Sequence, residues 1–307
     1  MFDYDAVIIG GGPAGLTAGL YLSRGNWRTL LVDKESPGGY IKNIELVENY
    51  PGFPEGVAGA QLATQMVRQA TNYGLKFEQA EVSTIEIFSS SKWVGCVDGK
   101  GFTTGAIIFA GGSVPKKLGV PGEEEFRDKG VIGCAFCDGG QFTGKTIVVC
   151  GGGDSGITEA LYMSKIADKV IVVEAMPQLN ATAILQDRLK SNPKMEVHTG
   201  VMVKEIIGND HVEGINIVRD SNSQVETIKT DGVLVHIGLD PNTSYLEGIV
   251  PLAGSGQIEV NEWMATELPG VFSAGDIRSN SVRQVSAAVG DGAAAGIAAQ
   301  RYLQKQV

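Results

Sequence analysis

A 27-residue pattern occurs twice in this chain, and it constrains the fold more than any other feature. Sliding the 307-residue sequence along itself by 141 positions lays residues 7–33 over 148–174, with ten of 27 positions identical. Each copy opens on a short apolar run, Ala6-Val7-Ile8-Ile9 or Ile147-Val148-Val149-Cys150, long enough for a buried strand and too short for a helix. Each then turns on glycines spaced GxGxxG: Gly10, Gly12 and Gly15 in the first copy, Gly151, Gly153 and Gly156 in the second. In that spacing the first glycine permits a tight turn, the second lets the backbone approach a pyrophosphate, and the third lets helix and strand pack closely. Residues 16–23 and 157–164 follow as helical segments whose N-terminal amides and dipole suit phosphates. The next strand ends in an acid, Asp33 or Glu174, in each case 18 residues after the last motif glycine. A carboxylate there can accept a hydrogen bond from a ribose hydroxyl. One isolated GxGxxG is often an ordinary glycine-rich turn. Strand, glycines, helix, strand and acid recurring in order predict an α/β protein with two Rossmann-like, three-layer domains.

Glycine is in excess, 42 of 307 residues, with neither a triplet period nor enough proline for a collagen or a linker, so the glycines are read one cluster at a time. A formal net charge of −10 repels a phosphate backbone, so no nucleic-acid partner is expected. Residues 6–23 carry no charge until Arg24, but Gly10, Gly11, Gly12, Pro13, Gly15 and Gly19 interrupt them, so no membrane span is expected. The acidic N-terminus, Met1-Phe2-Asp3-Tyr4-Asp5, lacks the basic character of an export signal and points to a cytoplasmic protein.

Between the copies, residues 59–73 read as a helix and residues 77–98 as alternating strands, with Gly99-Lys100-Gly101 as a hairpin turn. Val114-Pro115 and Val120-Pro121-Gly122 mark one inter-domain crossing, and Gly238-Leu239-Asp240-Pro241-Asn242 a second. A strand-rich stretch covers residues 197–237. The remainder, 243–307, is too short for its own core and ends in an Ala-rich helix over about 283–303, so it is expected to fold back onto the first domain.

Two of the four cysteines form Cys134-Ala-Phe-Cys137. Zinc would need two further ligands at matching spacing, and Cys96, Cys150, His198, His211 and His236 are scattered singly, so no metal site is expected. A dithiol at this spacing can close a disulfide and exchange it with another protein through a mixed disulfide. Asp138 beside it reads equally as an acid that protonates a leaving thiolate or as a helix N-cap or turn residue. Cys96 and Cys150 read as buried fillers in strands.

Together, the first glycine motif with Gly38-Gly39 and Val47-Glu48-Asn49-Tyr50-Pro51-Gly52, the Cys134–Asp138 segment, the second glycine motif, and Phe272-Ser273-Ala274-Gly275-Asp276 followed by Arg283-Gln284 resemble low-molecular-weight bacterial thioredoxin reductase along essentially the whole chain. The resemblance implies an FAD domain of residues 1–117 and 242–307, with a smaller NAD(P)-like domain, 118–241, inserted in it and carrying the dithiol. It implies a homodimer whose small domain swivels to present the dithiol alternately to the flavin and to a thioredoxin-like protein. On the matching positions, Cys137 would face the flavin, Cys134 would attack the substrate disulfide, and Asp138 would be the acid. FAD would lie along Gly10, Gly12, Pro13, Ala14, Gly15, Asp33, Lys34, Gly39, Tyr40, Asn49, Gly275, Asp276, Arg283, Gln284 and Val285.

The sequence departs from that family where the second nucleotide would bind. Members that use NADPH carry basic residues directly after the second strand, suited to a 2′-phosphate. Here the stretch is Glu174-Ala175-Met176-Pro177-Gln178-Leu179-Asn180, with no basic residue between Lys169 and Arg188. A carboxylate without a counter-charge repels a phosphate, which disfavours NADPH. Tyr40 also replaces a family glutamine. The second site, Gly151, Gly153, Asp154, Ser155, Gly156 and Glu174, is then left with three readings: NADH, a second FAD, or no nucleotide, with electrons from ferredoxin. Ferredoxin or a second flavin is the favoured pair. Outside enzymology, the same residues would suit a non-catalytic flavin or dinucleotide redox sensor.

Overall fold

The computed structural model describes residues 2–219 and 224–306; Met1 of the acidic N-terminus, residues 220–223 of the strand-rich stretch and Val307 lie outside them. The chain forms two compact units, residues 1–114 with 241–307, and residues 115–240. The first begins β1 (Tyr4–Ile9), α1 (Pro13–Arg24), β2 (Thr29–Asp33), α2 (Gly59–Asn72), β3 (Lys76–Gln79), β4 (Val82–Ile87), β5 (Lys92–Cys96) and β6 (Gly101–Phe109), and β7 (Ser113–Pro115) leads out of it. The second runs β8 (Val131–Ile132), α3 (Ala135–Asp138), β9 (Thr146–Cys150), α4 (Asp154–Met163), β10 (Lys169–Glu174), α5 (Ala183–Lys190), β11 (Met195–Thr199), β12 (Val201–Gly208), β13 (Val212–Arg219), β14 (Val225–Lys229) and β15 (Gly232–Val235). After β16 (Leu239–Pro241), the first unit is completed by β17 (Val271–Ser273) and α6 (Val285–Gln304).

In the first unit the sheet order is β3-β2-β1-β6-β5-β4, with β17 also pairing β6. β1 lies parallel between β2 and β6, while β5 and β4 add antiparallel. Alternation along β1 feeds two cores. Ala6 and Ile8 pack with Leu16, Ala18 and Leu22 of α1 and Ala295 and Ala299 of α6, and Val7 and Ile9 pack on the opposite face with Val32, Val94 and Phe109. The C-terminal helix is seated by small residues: a Cβ at Gly292 would stand 2.2 Å from the Ala14 carbonyl oxygen, so only glycine allows that approach.

The second unit has a fully parallel sheet, β11-β10-β9-β15-β8. Its central strands β10, β9 and β15 are buried on both faces, which is why Ile147 to Cys150 is an unbroken apolar run. Ile147 and Val149 face α4 and α5 with Ile157, Met163 and Leu185. Val148 and Cys150 face the antiparallel meander β12-β13-β14 through Ile206, Ile215 and Ile217. Helix, sheet and meander make the three layers expected of a Rossmann-like domain.

One buried charge has a measurable signature. Lys92 is 1% exposed; its ammonium donates to the Gly105 carbonyl at 2.9 Å and lies 5.1 Å from the centre of the Tyr302 ring. Burial lowers its pKa from 10.5 to about 8. Between those values the unfolded chain holds a proton that the folded chain has released, so folding stability rises with pH across that window. Lys92→Met is expected to remove about 2–3 kcal/mol of that rise, read from urea unfolding at pH 8 and pH 10.5; an unaltered rise would show that Lys92 does not cause it.

Candidate active site

The two glycine loops are alike down to single hydrogen bonds. Gly10 N–H donates to Val32 and Gly151 N–H to Val173, both at 2.9 Å. A Cβ on Gly15 would stand 1.9 Å from the Gly10 carbonyl oxygen, and one on Gly156 2.1 Å from that of Gly151, so the third glycine is obligatory in each loop. Gly12 and Gly153 are the extended N-cap residues of α1 and α4, and neither helix start has a side-chain cap. The first-turn amides of both helices are thereby left for a ligand.

Each acid braces the backbone beside it. Asp33 accepts the Gly11 N–H at 2.6 Å and the Glu35 N–H at 2.9 Å, while Glu174 accepts the Gly152 N–H at 2.5 Å and the Met176 N–H at 2.8 Å. Each carboxylate braces its own glycine loop and keeps lone pairs for another donor. Gly11 and Gly152, the middle glycines of the two loops, each supply one of these amides, and a GxGxxG spacing assigns them no role.

In the first unit a cavity of about 240 Å³ opens beside the loop, lined by Gly10, Asp33, Lys34, Glu81, Asn242 and Tyr245 among others. The Tyr245 hydroxyl is buried there with no hydrogen-bond partner among the described residues, and burial raises its pKa. Gly39, with φ of 67°, approaches Gly12 so closely that a Cβ would lie 2.6 Å from the Gly12 Cα. Tyr40 is exposed beside it. Asn49 donates to Gln284 at 2.9 Å, and Gln284 caps α6, which begins at Val285. Burial raises the pKa of Asp276, whose carboxylate accepts the Ser281 hydroxyl at 3.2 Å. Arg278 forms a two-pronged ion pair with Asp291, both contacts 2.8 Å, and Asp291 also accepts the Gly275 N–H at 3.1 Å. Arg283 takes the left-handed conformation, φ 54°, in the turn between Asp276 and α6. Glycine cradle, bare helix start, orphaned tyrosine hydroxyl and buried acid together fit the phosphates and hydroxyls of FAD. Tyr245 and Asn242 lie far from the motif in sequence and carry no local signal. Asp291, a lone acid in an Ala-rich helix, is the one local sequence signal of this clamp.

In the second unit Cys134 and Cys137 form a disulfide. Cys134 caps α3, its sulfur accepting the Cys137 N–H at 3.1 Å. Phe136 is exposed between them. Asp138 is exposed and stands at the N-cap position of a 3₁₀ turn over Gly139–Phe142, where its side chain makes no capping bond. Cys96 and Cys150 are free and buried, and burial pushes the Cys150 thiol up to about 12. Among the described residues no group of three or more His, Cys, Asp or Glu could hold a metal ion.

Around the second glycine loop, the strap after β10 is bonded down. Asn180 and Ala181 N–H groups both donate to the Gly152 carbonyl at 3.1 Å, and Asp154 accepts the Thr182 N–H at 2.7 Å. Ser155 is exposed at the helix start, and Met176 stands 61% exposed.

Residues 4–292 match the family described as pyridine nucleotide-disulphide oxidoreductase. The chain belongs to that family. Within it, the chain is 40% identical to the thioredoxin reductase of Bacillus subtilis (strain 168) over 304 residues, 98% of this chain and 95% of that one. The crystal structure of Lactococcus lactis thioredoxin reductase superposes with a TM-score of 0.96 at 34% identity, covering 99% of this chain and 100% of that one. That of T. acidophilum thioredoxin reductase gives 0.93 at 34% identity, covering 99% of each. This oxidoreductase is therefore a thioredoxin reductase-like, flavin-dependent disulfide oxidoreductase with Rossmann-like FAD and NAD(P) domains, and FAD is its family's cofactor. No helix among the described residues is long and apolar enough to cross a membrane.

Proposed function

We propose that this enzyme reduces the disulfide of a thioredoxin-like protein with electrons from a donor other than NADPH, either ferredoxin or a second flavin. When bound, FAD supplies a two-electron reductant. Two electrons and two protons open the Cys134–Cys137 disulfide to a dithiol. The Cys134 thiolate attacks the partner's disulfide and forms a mixed disulfide, and Cys137 then attacks Cys134, restoring the internal disulfide and releasing the partner as a dithiol. Asp138, exposed beside Cys137, protonates the departing thiolate.

The observation that carries the choice of donor is Glu174. Its carboxylate is fixed against the second glycine loop by two backbone amides, and the stretch from 174 to 187 contains no cation to neutralise a 2′-phosphate. The same carboxylate favours one other reading, an NADH-dependent enzyme, because its spare lone pairs can accept a free 2′-hydroxyl. An anaerobic titration of the purified protein separates these, following the flavin band near about 450 nm while NADPH, NADH and dithionite are added in turn. Bleaching by dithionite alone is expected. Bleaching by NADH selects the second reading, and bleaching by NADPH defeats both. Homodimerisation belongs to the same proposal and is read by sedimentation.

A further inference from the structure

Glu159 has no place in the chemistry so far, yet it touches the redox segment directly. It projects from α4, the helix that starts at the second glycine loop, with its side chain 12% exposed. Its Oε2 accepts the N–H of Ala135 at 2.7 Å, and Ala135 is the fully buried residue that follows Cys134. Just after β15, His236 places Nε2 3.9 Å from the same oxygen; its side chain is 5% exposed, and that nitrogen has no hydrogen-bond partner among the described residues.

The charge on Glu159 is uncompensated. Burial lowers the His236 pKa to about 4, so the imidazole is neutral at pH 7, and burial also raises the Glu159 pKa, partly opposed by the Ala135 amide. The other titratable groups on the elements packed against α4 are Cys134, Cys137 and Asp138 of the α3 segment, Cys150 at the end of β9, Lys169 and Glu174 of β10, Asp187, Arg188 and Lys190 of α5, and Asp154 and Tyr162 of α4 itself. Of these cations, Lys169 is paired with Glu196 at 2.6 Å. Lys165, just beyond α4, lies 5.7 Å over the Tyr162 ring, and no lysine or arginine among the described residues reaches ion-pair distance of Glu159. A thiol at a helix start is ordinarily acidified by the first-turn amides. Here one of those amides is given to a carboxylate.

We infer that Glu159 is a positioning residue for the dithiol: its bond to the Ala135 N–H pins the start of α3, and its unpaired charge lowers the share of Cys134 present as the attacking thiolate. The inference rests on Cys134 being the attacking sulfur. A dithiol held in this way resists stray oxidants, because the thiolate is the oxidisable form.

The test uses the full-length flavoprotein, reduced with dithiothreitol under argon and freed of reductant. Alkylation by iodoacetamide is followed from pH 5.5 to 9.5, with each cysteine quantified by mass spectrometry. Glu159→Gln keeps an oxygen for the Ala135 N–H and removes the charge. It is expected to move the Cys134 midpoint down by about half to one pH unit, about three- to tenfold faster alkylation near pH 6.5, while Glu159→Asp, which keeps the charge, moves it less. His236→Lys, which sets a cation beside the carboxylate, is a second variant expected to shift the midpoint the same way. A midpoint that stays put or rises in folded, yellow Glu159→Gln or His236→Lys protein overturns the inference and leaves the nucleophile assignment standing. Reaction at Cys137 with Cys134 inert in every protein overturns that assignment first.

Discussion

Cys134→Ser and Cys137→Ser should each abolish protein-disulfide reduction, a loss of at least about 10³-fold, while the protein stays yellow. The physical reason is that each thiol has a step the other cannot perform. Without Cys134 no sulfur attacks the partner. Without Cys137 the attack still occurs, but the mixed disulfide has no resolving thiol and persists. The two variants are therefore expected to differ in one respect: only Cys137→Ser accumulates a covalent adduct with a thioredoxin-like protein, visible on a non-reducing gel. Retained turnover in either variant would mean that the dithiol is bypassed, and would overturn its assignment as the reacting pair. The flavin should be unaffected, because the glycine cradle, Tyr245 and Asp276 lie in the first compact unit and the disulfide lies in the second.

Gly15→Ala is expected to give colourless, destabilised protein. A methyl group there would lie 1.9 Å from the Gly10 carbonyl oxygen, a backbone atom that cannot swing aside. Relieving the clash must push α1 away from β1, which costs about 3 kcal/mol or more and displaces the amides that would hold the FAD phosphates. Gly156→Ala is the control with nearly the same clash, 2.1 Å from the Gly151 carbonyl oxygen, in the other unit. It should destabilise that unit but leave the first unit's flavin bound. The measurement is flavin content per chain after gel filtration. Complete loss of flavin in Gly156→Ala would mean that the two loops do not have separate jobs.

Much of this was legible in the sequence because it is local. The GxGxxG spacing requires a strand, a tight turn and a helix within a few residues, and the repetition at 141 positions shows that the arrangement is built twice. The apolar runs before each loop identify strands buried on both faces, and Cys134 and Cys137 are close enough in sequence to pair without help from the fold. The missing cations after Glu174 are equally a local matter of residue type.

The rest depended on approaches between residues far apart in the chain. Tyr245 and Asn242 reach the cavity beside Gly10 only because the chain returns to the first unit after β16. Arg278 and Asp291 become a clamp on Gly275 only because α6 packs against α1 through Gly292. Asp33 and Glu174 look from the sequence like ribose ligands alone, whereas the folded loops give each a backbone amide to hold. The Glu159 bond to Ala135 joins the helix of the second glycine loop to the redox segment, and nothing in either stretch announces it. Short-range backbone geometry is written in residue type and spacing. Which buried polar groups meet, and which go without partners, is decided by tertiary packing.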